Sequence, residues 1–197
     1  MAAFYKNFYG PAAEPMADYW NAIFKAWEET VSTEHEYFLF QAVYSKGLIS
    51  RLSEKLRQPK AIIAQLKKTE VLTRNQKQVI DRLKFTRLSY DIISAYDQMV
   101  TATATEVDYI RAVEAGKKGL SARENLTAMN GIFTTYSKYP ERGYAWCPCE
   151  VKQYQELIPF IDGTKGELLT KLPLIWNFRR DVGNKGLSNT GKIKPSI

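Results

Sequence analysis

A stripe of apolar residues at helical spacing dominates the middle of this chain: Val79, Leu83, Leu88, Ile92, Tyr96, Met99, Val107, Ile110 and Val113. Such a period commits the segment to helix rather than strand. Thr73-Arg74-Asn75-Gln76 precedes it as a capping box, in which the Thr hydroxyl accepts from the N3 amide and the Gln side chain reaches back. The spacing predicts one helix from there to about Ala115, roughly forty residues or about 60 Å at 1.5 Å per residue. A helix of that length needs partners along it, or a kink. Thr101-Ala102-Thr103-Ala104-Thr105 is the place for the kink, because β-branched residues lower helix propensity. Gly116 and Gly119 are expected to end the helix. Ser121-Ala122-Arg123-Glu124, a second capping box, then opens another that runs to about Tyr139, where Pro140 stops it.

The flanks carry their own punctuation. Residues 2–9 read as a helix closed by Gly10 as a left-handed cap, with Pro11 preventing continuation. A second helix is expected from about Ala13, with Pro15 tolerated in its first turn. Its apolar face is Met16, Tyr19, Trp20, Ile23, Phe24 and Trp27. In residues 32–45, Tyr37-Phe38-Leu39-Phe40 is too short to type by period. A third helix covers about 46–57. Pro59 is placed as the first residue of a fourth, ending near Leu72. Beyond Pro140, Tyr144, Trp146, Pro148, Pro159, Gly163, Gly166 and Pro173 break any long period. Loops are expected there, with one short helix near Val151–Ile158 and a mobile tail over 183–197.

The expected fold is therefore all-α: an antiparallel helical bundle with one long helix and an irregular C-terminal tail. Its core should contain Trp20, Phe24, Leu83, Ile92, Tyr96 and Met99. The 45% hydrophobic fraction of the 197 residues is enough for a sizeable core. No run of 18 apolar residues is present to span a bilayer. Residues 1–20 lack the basic, apolar and small-residue regions of a signal peptide, and Cys147 and Cys149 do not fix a compartment.

The net charge of +7 is local. Residues 46–87 hold twelve Lys or Arg against three Asp or Glu, a balance of +9, so the rest of the chain sums to −2. These cations interleave with Leu48, Leu52, Leu56, Ile62, Ile63, Leu66, Val79, Ile80 and Leu83, as on the solvated face of surface helices. The competing reading is a basic face that attracts an anionic partner.

No complete catalytic apparatus is legible. Cys147-Pro148-Cys149 has one intervening residue and no second cysteine pair, whereas zinc sites need four ligands at wider spacing and redox pairs need two intervening residues. Glu34-His35-Glu36 reads as a polar turn, since adjacent side chains point apart. Carboxylates such as Glu150 and Glu156 are candidates for a glycosidase pair, but the sequence does not bring them together. Gly-rich phosphate loops, G-x-S-x-G and H-E-x-x-H are absent. No catalytic residue, metal ligand or cofactor is expected. The best candidate ligand or partner surface is the loop carrying Tyr139, Arg142, Tyr144, Trp146 and Glu150, whose rings and polar groups suit a sugar face or a protein. The alternative is that these rings pack beneath the loop as a satellite core.

The phrase Phe8-Tyr9-Gly10-Pro11-Ala12-Ala13-Glu14-Pro15-Met16, followed by Tyr19-Trp20 and Trp27-Glu28, resembles the C-terminal part of large bacterial proteins that carry the domain of unknown function DUF4838. Those proteins are related to glycoside hydrolases of the α-glucuronidase type. Trp176-Asn177-Phe178-Arg179-Arg180-Asp181, then Gly183-Asn184-Lys185-Gly186, looks like the opening of a galactose-binding-like β-sandwich. The resemblance implies that residues 1–11 close a barrel-like domain and residues 12–139 form a helical domain. A loop-rich extension over 140–171 and the start of a sandwich module, or a disordered tail, over 172–197 would follow. It implies a helical accessory region of an exported, carbohydrate-active parent, with the barrel, the sandwich and carbohydrate as partners. No catalytic residue carries over, because the family's acid, base and nucleophile lie in the barrel. The alternative is a stand-alone helical binding module that uses its basic face for an anionic partner. Neither a membrane nor nucleic acid is expected. Self-association is, because Phe4, Tyr5, Phe8 and Tyr9 share one helix face and Leu174, Trp176 and Phe178 alternate as a strand.

Overall fold

The computed structural model describes residues 2–31, 40, 42–68, 71–129 and 148–162, with the backbone alone for Pro148, Cys149 and Glu150. Among these residues the chain is helical and contains no strand. Helix α1 is Ala2–Tyr9, joined by a 3-10 turn over Gly10–Ala12 to α2, Ala13–Glu29. Helices α3, Lys46–Lys55, and α4, Arg57–Leu66, precede α5, Arg74–Thr101. A π turn over Ala102–Glu106 leads to α6, Tyr109–Met129, and α7 is Pro148–Ile161. The expected all-α bundle is the observed fold.

Local chemistry sets several boundaries where the sequence puts them. Gly10 adopts φ +52°, the left-handed cap between α1 and α2. The Ser45 hydroxyl accepts from the Leu48 amide at 3.2 Å and opens α3. At Thr73 the capping box is complete: its hydroxyl accepts from the Gln76 amide at 3.2 Å, and its amide donates to Gln76 Oε1 at 2.8 Å. Helix α4 begins at Arg57 and ends at Leu66, so Pro59 sits at its third position rather than its first. Helix α7 outruns the expected Val151–Ile158 at both ends and keeps Pro159 in its last turn.

The expected forty-residue helix is not formed. The Thr103 hydroxyl donates to the carbonyls of Met99 and Val100, each at 3.1 Å, which loosens the ladder at this point. The helix widens into the π turn, and Val107 takes the left-handed conformation, φ 54° and ψ 34°. Asp108 then starts α6, its carboxylate accepting from the Arg111 amide at 2.9 Å. An ion pair between Glu106 and Arg111 spans the reversal. The chain therefore turns back instead of kinking, and α6 packs along α5.

That reversal changes the role of the two glycines. Gly116 and Gly119 are buried inside α6 and do not end it. Ser121-Ala122-Arg123-Glu124 lies within the same helix. A capping box acts only where the chain enters a helix, and here the preceding residues are already helical.

Helix α5 serves two cores. Its first half packs Val79, Leu83 and Tyr90 with Tyr5 and Tyr9 of α1, Met16, Tyr19 and Ile23 of α2, and Leu48, Ile49 and Leu52 of α3. Its second half packs Ala95, Tyr96 and Met99 with Ala112, Val113 and Ala115 of α6 and Val151 of α7. Phe40 meets Tyr96 edge-on, with centroids 4.5 Å apart. Of the expected core, Leu83, Tyr96 and Met99 are buried, and Trp20 and Ile92 are half-buried. Phe24 is a correction: it is 45% exposed, as is Trp27 at 47%. The stripe that α2 turns inward is Met16, Tyr19 and Ile23, and Phe24 is one position past it.

The expectations for Glu34-His35-Glu36, the loop of Tyr139, Arg142, Tyr144 and Trp146, Cys147, the 172–181 strand and the 183–197 tail lie outside the described residues.

Candidate functional site

Among the concave surfaces built by the described residues, two have mainly apolar linings. The first is an open cleft of about 650 Å³ between α1, α2 and α5, lined also by Met129 of α6. Its walls are aromatic: Phe4, Phe8, Trp20, Phe24 and Phe85. Phe4 and Phe8, one turn apart, stack at 5.2 Å, and Trp20 and Phe24, one turn apart, stack at 6.3 Å. Phe4 is 55% exposed at the mouth, whereas its neighbours Tyr5 and Tyr9 enter the core. The aromatic face expected on residues 2–9 is thus divided between core and cleft.

Tyr9, Trp20, Thr86 and Arg82 form a hydrogen-bonded set along the cleft. Thr86 gives its one hydroxyl proton to the Arg82 carbonyl at 3.0 Å. The Tyr9 hydroxyl, 3.4 Å from Thr86 Oγ1, is therefore the donor to it, and it accepts from Trp20 Nε1 at 2.9 Å. Arg82 Nη1 donates to the Phe8 carbonyl at 2.7 Å, and the guanidinium lies 4.1 Å over the Phe8 ring. These bonds fix the ring positions and leave the apolar faces turned toward the cavity. Burial, reinforced by the neighbouring Tyr9, pushes the Tyr5 hydroxyl above its usual range.

The second is a groove of about 430 Å³ between α4 and α5. Leu56, Ile63, Ile80, Leu83 and Leu88 form its floor, and Lys60, Lys67, Lys84 and Arg87 its rim. The basic stretch of 46–87 is largely the solvated face expected: ten of its twelve cations are exposed. The other two are used internally, Lys55 in an ion pair with Asp18 at 2.9 Å and Arg82 on Phe8.

Of the loop candidates, Tyr139, Arg142, Tyr144 and Trp146 lie outside the described residues. Glu150 falls in the first turn of α7, and Glu156 is exposed and pairs with Lys152 at 3.9 Å. Among the described residues, no group of three or more His, Cys, Asp or Glu is placed to hold a metal, and no helix is long and apolar enough to cross a membrane. The sequence reading singled out Phe4, Phe8, Trp20 and Phe24 but missed Arg82 and Phe85. Their signal was an arginine and an aromatic three residues apart, off the apolar stripe of α5.

Comparison of the chain with protein-family models, with curated proteins and with solved structures gives no match.

Proposed function

We propose that this chain is a helical accessory module of a carbohydrate-active, glycoside-hydrolase-like protein. It has no catalytic site of its own, and it docks through the cleft of α1, α2 and α5 onto an apolar face of a barrel-like domain. The observation that carries this reading is the cleft: aromatic walls held by the bonds of Tyr9, Trp20, Thr86 and Arg82, and Phe4 and Phe24 exposed at its edge. Rigid aromatic rings around a concavity are what protein–protein anchoring sites offer. Phe8 and Tyr9, which open the phrase resembling the DUF4838-containing proteins, also line this cleft. The residues behind the resemblance and those behind the surface share Phe8, Tyr9 and Trp20.

The test is co-expression of the tagged chain with a barrel-encoding reading frame that adjoins its own. A defined complex is expected by sizing chromatography with light scattering. Phe24→Glu should weaken it by about ten-fold or more and leave the melting temperature unchanged, because Phe24 stands outside the core. No complex, or one indifferent to Phe24→Glu, would refute the reading. The second reading, a module with a basic face for an anionic partner, is favoured by the α4–α5 groove.

A further inference from the structure

We propose that the groove between α4 and α5 binds an acidic amphipathic helix of a partner protein, about three turns long. The site is separate from the aromatic cleft, and the proposal stands whether or not that cleft docks a barrel.

The groove combines two chemistries. Leu56 and Leu83 are buried at its base, with Ile63, Ile80 and Leu88 half-buried above them. Lys60 and Lys67 rise from α4, and Lys84 and Arg87 from α5, all exposed. Among the described residues, no carboxylate lines it. Of the acids in this stretch, two are placed elsewhere: Asp81 lines the aromatic cleft, and Glu54 lines a polar surface pocket beside Arg51 and Lys55; Glu70 lies outside the described residues. Asp91 pairs with Arg87 at 2.9 Å. Among the described residues, Lys60, Lys67 and Lys84 have no carboxylate partner within ion-pair distance. Lys60 and Lys84, cations with no carboxylate partner among the described residues, beside an apolar trough call for a ligand that is apolar along its centre and anionic along its edges.

Spacing points to a helix. Leu56 and Ile63 are seven residues apart, as are Lys60 and Lys67, the last just past the end of α4, and on α5 Ile80, Lys84 and Leu88 follow every four residues. Seven residues advance about 10.5 Å along a helix, two turns, so on the α4 side a third helix lying in the trough meets an apolar contact and a cation every two turns. That is the arrangement of a coiled-coil seam with flanking charges, used here as a groove for a single amphipathic helix. From Leu56 to Lys67 the wall is about 16 Å long, which sets the length of the occupant.

Other anionic partners fit less well. The floor is aliphatic, with no ring on which a base could stack. A membrane needs protruding apolar side chains, whereas here the apolar groups are recessed below the lysines. Only a convex ridge reaches the floor.

The test uses the whole chain and a fluorescein-labelled fourteen-residue peptide with leucines on one helical face and glutamates beside them. Saturable binding by fluorescence polarisation is expected, weakening as salt rises from about 0.05 to about 0.5 M. Lys60→Glu with Lys84→Glu should weaken it by about ten-fold or more, and Ile63→Ala by several-fold. Lys60→Gln with Lys84→Gln is the milder second variant should charge reversal disturb folding, which circular dichroism reports. A peptide with serines for leucines should not bind. Absent binding, binding indifferent to the lysine variants, or tighter lysine-dependent binding of a single-stranded oligonucleotide or of phosphatidylserine vesicles overturns the proposal.

Discussion

Gly116 of α6 lies so close to Val151 of α7 that a Cβ built on it would be 2.5 Å from Val151 Cγ2, with Met99 Sδ of α5 3.2 Å away. Three helices converge on a position with no side chain. In an open helix Gly→Ala gains up to about 1 kcal/mol from propensity. Here overpacking wins, and Gly116→Ala is expected to destabilise by about 1–3 kcal/mol in urea unfolding. Adding Val151→Ala removes the nearest atom and should recover part of the loss, since the Met99 thioether can shift. A Gly116→Ala chain as stable as the wild type would mean that α6 and α7 do not approach this closely.

Val107 adopts φ 54° where the chain reverses between α5 and α6. A β-branched residue is strained in the left-handed region, by about 1–2 kcal/mol. Val107→Gly should therefore raise stability by about 1 kcal/mol, read as a higher urea midpoint at unchanged slope. A lower midpoint would show that side-chain contacts at 107 outweigh the strain.

The bond from Trp20 to the Tyr9 hydroxyl ties α2 to α1, and the Thr86 contact ties α1 to α5. Tyr9→Phe leaves the half-buried indole N–H without this acceptor. A cost of about 1–2 kcal/mol is expected, with a change in Trp fluorescence. No cost would mean that α1 is not anchored to the bundle.

Burial raises the hydroxyl of Tyr19 well above the ordinary tyrosine value of 10.0, and those of Tyr44 and Tyr5 shift the same way. The unfolded chain loses these protons near 10 while the folded chain retains them. Stability is thus intact below pH 10 and falls as pH rises beyond it. Phenolate absorbance of this group should appear together with loss of the helical circular dichroism signal. Full ionisation in a still-helical chain would contradict the burial.

Asp97 of α5 is shifted upward by desolvation, partly offset by the Lys46 charge. A carboxyl raised in the folded state contributes stability below its unfolded value, near 3.8, and loses it as pH rises through the folded value. At pH 7 its ionised form is a cost, so Asp97→Asn should be more stable than wild type, with the advantage shrinking as pH falls toward 4. Urea midpoints at the two pH values decide. A variant less stable at pH 7 would mean that the carboxylate has a stabilising partner.

Much of the helical framework is legible from neighbouring residues. The Gly10 cap, the start of α2 at Ala13 and the Thr73–Gln76 box are decided within a few positions, because the groups that cap a helix end are sequence neighbours. The candidate sites are less legible. The rings of the aromatic cleft were visible as helix faces, but Tyr9 meets Thr86 across 77 positions, and no local period brings them together. The basic stretch was visible as charge, while its apolar-floored groove requires α4 and α5 side by side.

The sequence by itself determined that the chain forms helices and where most of them begin, since amphipathic period and capping chemistry act over one or two turns. Tertiary structure alone decided that the chain reverses at Ala102–Asp108, that Phe24 stays outside while Tyr19 goes in, and that Gly116 joins helices instead of ending one. The physical reason is the same in each case. A threonine-rich stretch can be helix or turn, and a helix has more apolar surface than one neighbour can cover. A buried glycine is unfavourable by propensity until a second helix approaches. Each choice is settled by which surfaces pack together, a free energy that resides in no single segment.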